Sequence, residues 1–227
     1  MLSLKNISKS FGGVKAVDKC SFEVKENTIT SLIGPNGAGK TTVFNMISGL
    51  TEPDSGAVKL LNKDITGMHA YKIAQSGISR TFQITKVFKN MTIKDNLFIA
   101  KKTNDAEMRK VLESVYLHKP LETIASELSY GQQRLLELAR ALLKPHVLLM
   151  LDEPTAGVNP KIRQELKSIL KNLKKDGKTI LLIEHDMDFV MGISDTVIVL
   201  NEGKVLKIGK PTDIVKDKKV LEAYLGK

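Results

Sequence analysis

The chain has 227 residues, 42% of them hydrophobic and 26% charged, enough to bury one substantial core and within the range in which α/β chains remain a single domain. No apolar run, Val147 to Leu151 included, approaches the roughly 18–20 residues that cross a bilayer, and the start MLSLKNISKS lacks the apolar core of a secretion signal, so a cytosolic chain is expected. Its net charge of +10 comes from scattered lysines whose densest patches, Lys171 to Lys178 and Lys216 to Lys219, read as solvated helix faces, so no nucleic-acid partner is expected; the lone Cys20 excludes an internal disulfide.

Short β segments are expected first: Leu2 to Ile7, Ala16 to Val24 after the Gly12-Gly13 turn, and Thr28 to Ile33 running into a glycine-rich loop. A helix follows from Lys40 to Ser48 and stops at Gly49. Between Lys86 and Leu128 the strand signals fade, and Ala106 to Leu117 carries apolar residues at helical spacing, so a helical insertion is expected at roughly 86–145. Val147 to Leu151 and Thr179 to Ile183 read as central strands of a parallel sheet, with a helix from Pro160 to Lys175 between them. Asn201-Glu202-Gly203 separates Thr196 to Leu200 from Lys204 to Ile208 as a hairpin, and Thr212 is expected to cap a final helix ending near Leu225. The fold expected is α/β, a mainly parallel core with an antiparallel N-terminal part.

The segment Gly34-Pro35-Asn36-Gly37-Ala38-Gly39-Lys40-Thr41 fits G-x-x-x-x-G-K-[ST] between a strand and a helix, the context the motif requires. Its glycines let successive backbone N–H groups converge on phosphates, and the helix start adds its positive dipole end. Lys40 is expected to reach the β and γ phosphates and Thr41, followed by Thr42, to hold Mg²⁺. A chance glycine turn would lack the flanking strand and helix.

Asp152 and Glu153 close the apolar run Leu148 to Leu151, at the strand end where ligands bind parallel sheets. Asp152 suits Mg²⁺, and Glu153 is placed to orient and deprotonate the attacking water. A strand ending in Asp-Glu is more often a surface turn; the phosphate loop in the same chain favours chemistry. His185 follows the next central strand through Glu184 and is expected on the same edge, bonding the γ phosphate. A lone histidine is usually structural, so here too its place carries the reading.

Leu128-Ser129-Tyr130-Gly131-Gln132-Gln133 opens a helix with the apolar stripe Leu135, Leu138, Ala139 and Leu142, and Ser129 and Gln132 stand in capping-box register. These residues resemble the LSGGQ signature of the ABC transporter ATPases, and the resemblance runs from about Leu2 to Leu225. It implies ATP and Mg²⁺ as ligands and a dimer, of identical or different cassettes, in which Ser129 and Gly131 of one subunit touch the γ phosphate held by the other. It also places Gln83 on Mg²⁺, Phe11 against adenine, and Ala156-Gly157-Val158-Asn159 at the D-loop, and it implies transmembrane permease subunits that this cassette would serve from the inner face of the membrane.

Tyr130 stands where the signature has glycine, and Asn159 where aspartate is usual. Both resemble one branch, the ATPases of branched-chain amino-acid importers. So do Arg80-Thr81-Phe82-Gln83, Ile183-Glu184-His185-Asp186-Met187, Val190-Met191-Gly192-Ile193-Ser194-Asp195 and the ending Ala223-Tyr224-Leu225-Gly226. The stretch from Gln83 to Ser129 is short for that branch. The alternatives are a lipopolysaccharide-export-type ATPase and a soluble ABC ATPase acting on nucleic acid or ribosomes, whose long coiled-coil insertions or tandem cassettes are not seen here.

Overall fold

The structure, a computed structural model, describes residues 1–83 and 85–225; Ile84, Gly226 and Lys227, and with Gly226 the last residue of the ending noted above, lie outside the described residues. The chain opens with an antiparallel hairpin, β1 (Leu2–Phe11) and β2 (Val14–Val24). Then come β3 (Ile29–Ile33), α1 (Lys40–Ile47), β4 (Ser55–Leu60), β5 (Lys63–Asp64), α2 (Ala70–Gln75) and β6 (Ile78–Arg80). Three helices follow, α3 (Ile93–Ala100), α4 (Asp105–Ser114) and α5 (Tyr130–Leu143). After them the chain alternates: β7 (Leu148–Asp152), α6 (Pro160–Lys175), β8 (Thr179–Ile183) and α7 (Met187–Ile193). It ends with β9 (Thr196–Asn201), β10 (Lys204–Gly209), α8 (Pro211–Ile214) and α9 (Lys218–Leu225).

Two sheets result, the first antiparallel in the order β2-β1-β4-β5. The second runs β10-β9-β3-β8-β7-β6, parallel except for the edge strand β10. This is the α/β fold expected. Every residue of β3, β7 and β8 is buried, the mark of strands covered on both faces. One core joins α3, α4, α5 and α6 to one face of this sheet, and a second packs α1 and the antiparallel sheet against the other. No helix among the described residues is long and apolar enough to cross a membrane.

Several boundaries differ from the sequence reading, for local reasons. β1 continues past Ile7 to Phe11 because bulges near Asn6, whose φ is 48°, interrupt the alternation without ending the pairing. Val147 precedes β7 and Val14 and Ala16 both belong to β2. The helix expected over Ala106 to Leu117 starts at Asp105, capped by Asn104, and is over before Tyr116, whose φ of 57° cannot continue it. Thr212 caps nothing: α8 begins at Pro211 with Lys210 in the cap position, and the single final helix expected is two, interrupted between Ile214 and Lys218. Strands β4 to β6 and helices α2 and α7 were not anticipated, and α3 falls within the helical insertion expected at roughly 86–145 without its own bounds having been read.

Candidate active site

Strands β3, β7 and β8 are parallel neighbours, so their C-terminal ends deliver Gly34, Asp152 and Glu153, and Glu184 and His185 to one edge. From β3 the chain turns through residues 34–39 into α1. Gly37 has φ 80° and open space where a side chain would project, so the loop presents bare backbone there. Gly39, at φ 96°, approaches β2 so closely that a Cβ there would lie 2.4 Å from the Ala16 carbonyl oxygen. This contact seats the hairpin carrying Phe11 beside the loop. Phe11 itself is 51% exposed at the end of β1, with the Lys9 ammonium 5.7 Å from its ring.

Lys40 opens α1 and folds back, its Nζ donating to the carbonyls of Gly34 (2.7 Å) and Pro35 (2.9 Å). Burial depresses the pKa of its ammonium, against the attraction of Glu153 and Asp152. Thr41 is exposed on the same turn and Thr42 half-buried; Pro35 is half-buried, Ala38 buried and Asn36 exposed.

Asp152 is buried at the end of β7, where Arg80 Nη2 donates to its Oδ2 at 3.0 Å. Burial pushes the Asp152 carboxyl above the usual carboxylate range, and Arg80 opposes the push. The same guanidinium donates through Nη1 to Asn45 Oδ1 (2.9 Å) on α1 and to Ser48 Oγ (2.7 Å) at its C-cap, and its carbon lies 5.5 and 5.1 Å from the rings of Phe44 and Phe82. Arg80 therefore ties α1 to β7.

Glu153 adopts φ 47°, a conformation that costs a non-glycine residue about 1–2 kcal/mol. That turn leaves its carboxylate between two partners: His185 Nε2 lies 2.9 Å from Oε1, and Gln83 Nε2 donates to Oε2 at 3.0 Å. Glu184, only 2% exposed, braces the loops on either side. Its Oε1 accepts from the Thr155 N–H (2.9 Å) and hydroxyl (2.7 Å), and its Oε2 from the His185 and Asp186 N–H groups. Burial raises the pKa of its carboxyl, against those bonds.

Lys40, Thr41, Gln83, Asp152, Glu153 and His185 are thus gathered at one edge. Ser129 and Gly131 are not. Ser129 caps α5, accepting from the Gln132 N–H (3.3 Å) while Gln132 Oε1 accepts from the Ser129 N–H (3.0 Å). It lines a separate cavity of about 330 Å³ with His118, Asn159 and Lys161. Gly131 is buried against α6, where a Cβ would meet Ile162 at 2.9 Å. Asn159 caps α6 by accepting from the Ile162 N–H at 2.9 Å. Arg80 and Glu184 were missed as site residues, although each directly adjoins or belongs to a motif singled out in the sequence.

The donor set fits Mg²⁺ held with a nucleotide: an exposed threonine hydroxyl, one buried carboxylate and a carboxamide beside a backbone cradle for phosphates. Among the described residues no three His, Cys, Asp or Glu side chains converge into a metal cage.

Comparison with known proteins agrees with this geometry. The family model described as ABC transporter matches residues 17–156. The branched-chain amino acid transport ATP-binding protein BraF of Pseudomonas aeruginosa is 39% identical, covering 100% of this chain and 98% of its own. That alignment spans 249 positions against the 227 residues here, so the relative carries insertions this chain lacks. An ATP-binding cassette of an ABC transporter, solved in its ADP conformation, superposes with a TM-score of 0.92 at 34% identity, covering 100% of this chain and 99% of that one. A dimeric cassette bound to ADP and Pi superposes with a TM-score of 0.82 at 25% identity, covering 93% and 99%. With a phosphate loop, an acid pair and a histidine on one sheet edge, and a family match over most of its length, this chain belongs to the ABC transporter family as an ATP-binding cassette.

Proposed function

We propose that the chain is the ATP-hydrolysing subunit of a membrane importer for branched-chain amino acids, a single nucleotide-binding domain with its helical part inserted at roughly 86–145. The observation that carries the hydrolytic reading is Glu153, bonded to His185 on one oxygen and Gln83 on the other, beside Lys40. On ATP binding, Lys40 leaves the Gly34 and Pro35 carbonyls for the β and γ phosphates, and the backbone of residues 34–42 cradles the rest, with Phe11 against the adenine. Glu153 takes the proton of the attacking water while His185 and Gln83 hold that water in line. Mg²⁺, held by Thr41, Asp152 and Gln83, supplies charge neutralisation on the phosphates when bound.

Ser129 and Gly131 complete the site of a second cassette, of the same or another chain. The name of BraF supports the substrate class. The groove of about 630 Å³ between α2, α3 and α5, lined by Leu50, Ile73, Phe82, Phe88 and Ile99, offers an apolar surface on which a transmembrane permease would dock, and the cassette would serve it from the inner face of the membrane.

Mixing tests the shared site. Lys40→Ala and Ser129→Arg are each inactive alone, whereas a mixed dimer holds one intact site and regains up to about half the wild-type rate. Rescue absent from mixed dimers shown to form by crosslinking refutes it. Proteoliposomes holding the permeases, a binding protein and this chain test the substrate: ATP-driven leucine uptake is expected, and stimulation by another solute class alone refutes the reading.

A further inference from the structure

Tyr130, the departure from the signature glycine, is not used by the site described above, yet its surroundings are specific. It is the first residue of α5 and 45% exposed. A Cβ built on Gly157, in the loop that follows β7, would lie 3.0 Å from Tyr130 Cε1, so the ring closes directly over that glycine. On another side the guanidinium carbon of Arg134, one turn along α5, is 5.5 Å from the ring centroid.

Arg134 is buried and held at several points. Its Nη1 donates to the Phe82 carbonyl at 2.7 Å and to Glu137 Oε2 at 3.3 Å, and its Nη2 to the Gln83 carbonyl. Its Nε has no hydrogen-bond partner among the described residues, which leaves the aromatic ring as a favourable neighbour for that part of the guanidinium. Gln83, whose backbone Arg134 holds, is the residue whose amide reaches Glu153. Three segments therefore meet through two side chains: the loop after β7, the start of α5, and the chain after β6.

We propose that Tyr130 and Arg134 are positioning residues for hydrolysis, holding the Gln83 backbone where its amide meets Glu153; the inference rests on the ATPase reading of those two residues. Arginine suits the task because its planar fork serves two carbonyls and a carboxylate at once, which an ammonium cannot do in the same geometry. Glycine at 130 would open the guanidinium face to water and leave Gly157 uncovered. The phosphate loop would be unaffected, because among the described residues no hydrogen bond joins either residue to it. The signature therefore acts on its own chain's hydrolytic site as well as facing a partner.

Steady-state ATPase kinetics of the full chain test this. Tyr130→Gly and Arg134→Lys each lower kcat about fivefold with KM for ATP within about twofold, and Tyr130→Phe, which keeps the ring, stays within about twofold of wild type. In a Gln83→Ala background, adding Tyr130→Gly costs less than about twofold more, because the group being positioned is gone. If Tyr130→Gly melts early, Tyr130→Leu fills the space without an aromatic face and shows the same loss. Losses that multiply in the Gln83→Ala background, or a raised KM with unchanged kcat, overturn the proposal. If Glu153→Gln still hydrolyses ATP, the ATPase reading itself has failed. If Glu153→Gln is inactive and the losses multiply, the positioning role alone is wrong.

Discussion

Replacing Arg80 with methionine keeps an unbranched side chain between Phe44 and Phe82 while removing the charge that faces Asp152. Both partners of the pair are almost wholly buried, at 7% and 5% side-chain exposure. Breaking such a pair from one side costs about 3–5 kcal/mol, because the remaining charge stays buried without compensation. Asn45 Oδ1 loses a donor as well, for about 1 kcal/mol, while Ser48 keeps its own bond to the Phe44 carbonyl. A methionine sulfur beside two rings returns roughly 0.3–1.5 kcal/mol, so a net loss of about 3–5 kcal/mol is expected. Urea unfolding at pH 7 measures it, and pairing with Asp152→Asn isolates the charge: the loss should shrink by about 2 kcal/mol or more when no carboxylate remains.

The pH dependence has a definite sign. Without Arg80, burial and the neighbouring Glu153 both raise the Asp152 pKa in the folded state, above its unfolded value. A carboxyl so raised contributes stability that is present below its unfolded pKa and lost as pH rises through the folded one. The deficit of Arg80→Met should therefore be smaller at pH 5 than at pH 8. A total loss below about 1 kcal/mol, or an equal loss in the Asp152→Asn background, would refute the reasoning.

Glu184→Ala strips the acceptor from three N–H groups and the Thr155 hydroxyl, so about 2–4 kcal/mol of stability and most of the hydrolysis rate should be lost; a change within about 0.5 kcal/mol in urea unfolding counts against the brace. Asn159→Asp keeps an acceptor at the start of α6 and should be neutral in thermal melts, whereas Asn159→Ala should cost about 1 kcal/mol; equal effects would mean the cap contributes nothing. Cys20 is buried and its thiol is pushed up to about 12, so it should ignore a disulfide reagent at pH 8 until the chain is unfolded, and rapid native labelling would contradict that burial. With its folded pKa above the unfolded one, Cys20 should also withdraw stability as pH rises from about 9 towards 12.

The residues that sit on the edge of the candidate site were legible because backbone geometry requires them to be local in sequence. A phosphate loop must directly join strand and helix, and Asp152, Glu153 and His185 must follow apolar strands. What ties these pieces together was not legible. Arg80 reaches Asp152 across 72 positions and Glu184 reaches Thr155 across 29, and nothing in the neighbourhood of either announces its partner. Strand β6 has three residues at the edge of the sheet, too few to display alternation. Helix α3 falls within the helical insertion expected, but its start was not legible: Thr92 and Asp95 form the reciprocal cap, where the usual sign three residues after a cap is glutamate or glutamine. The role of Tyr130 depends on Gly157 and Arg134 meeting around its ring, which no spacing rule anticipates.

The left-handed backbone at Glu153 has a consequence for how such a chain can change. Glycine adopts that conformation without strain, and a single base change converts a glutamate codon to a glycine one. A selection that rewards heat resistance alone would therefore favour Glu153→Gly wherever relief of the backbone outweighs the lost bonds to His185 and Gln83, and on the proposed mechanism such molecules would still grip nucleotide without turning it over. If Glu153 activates the water as proposed, the carboxylate is kept at this position against the preference of the backbone, and only a screen that also demands turnover would retain it.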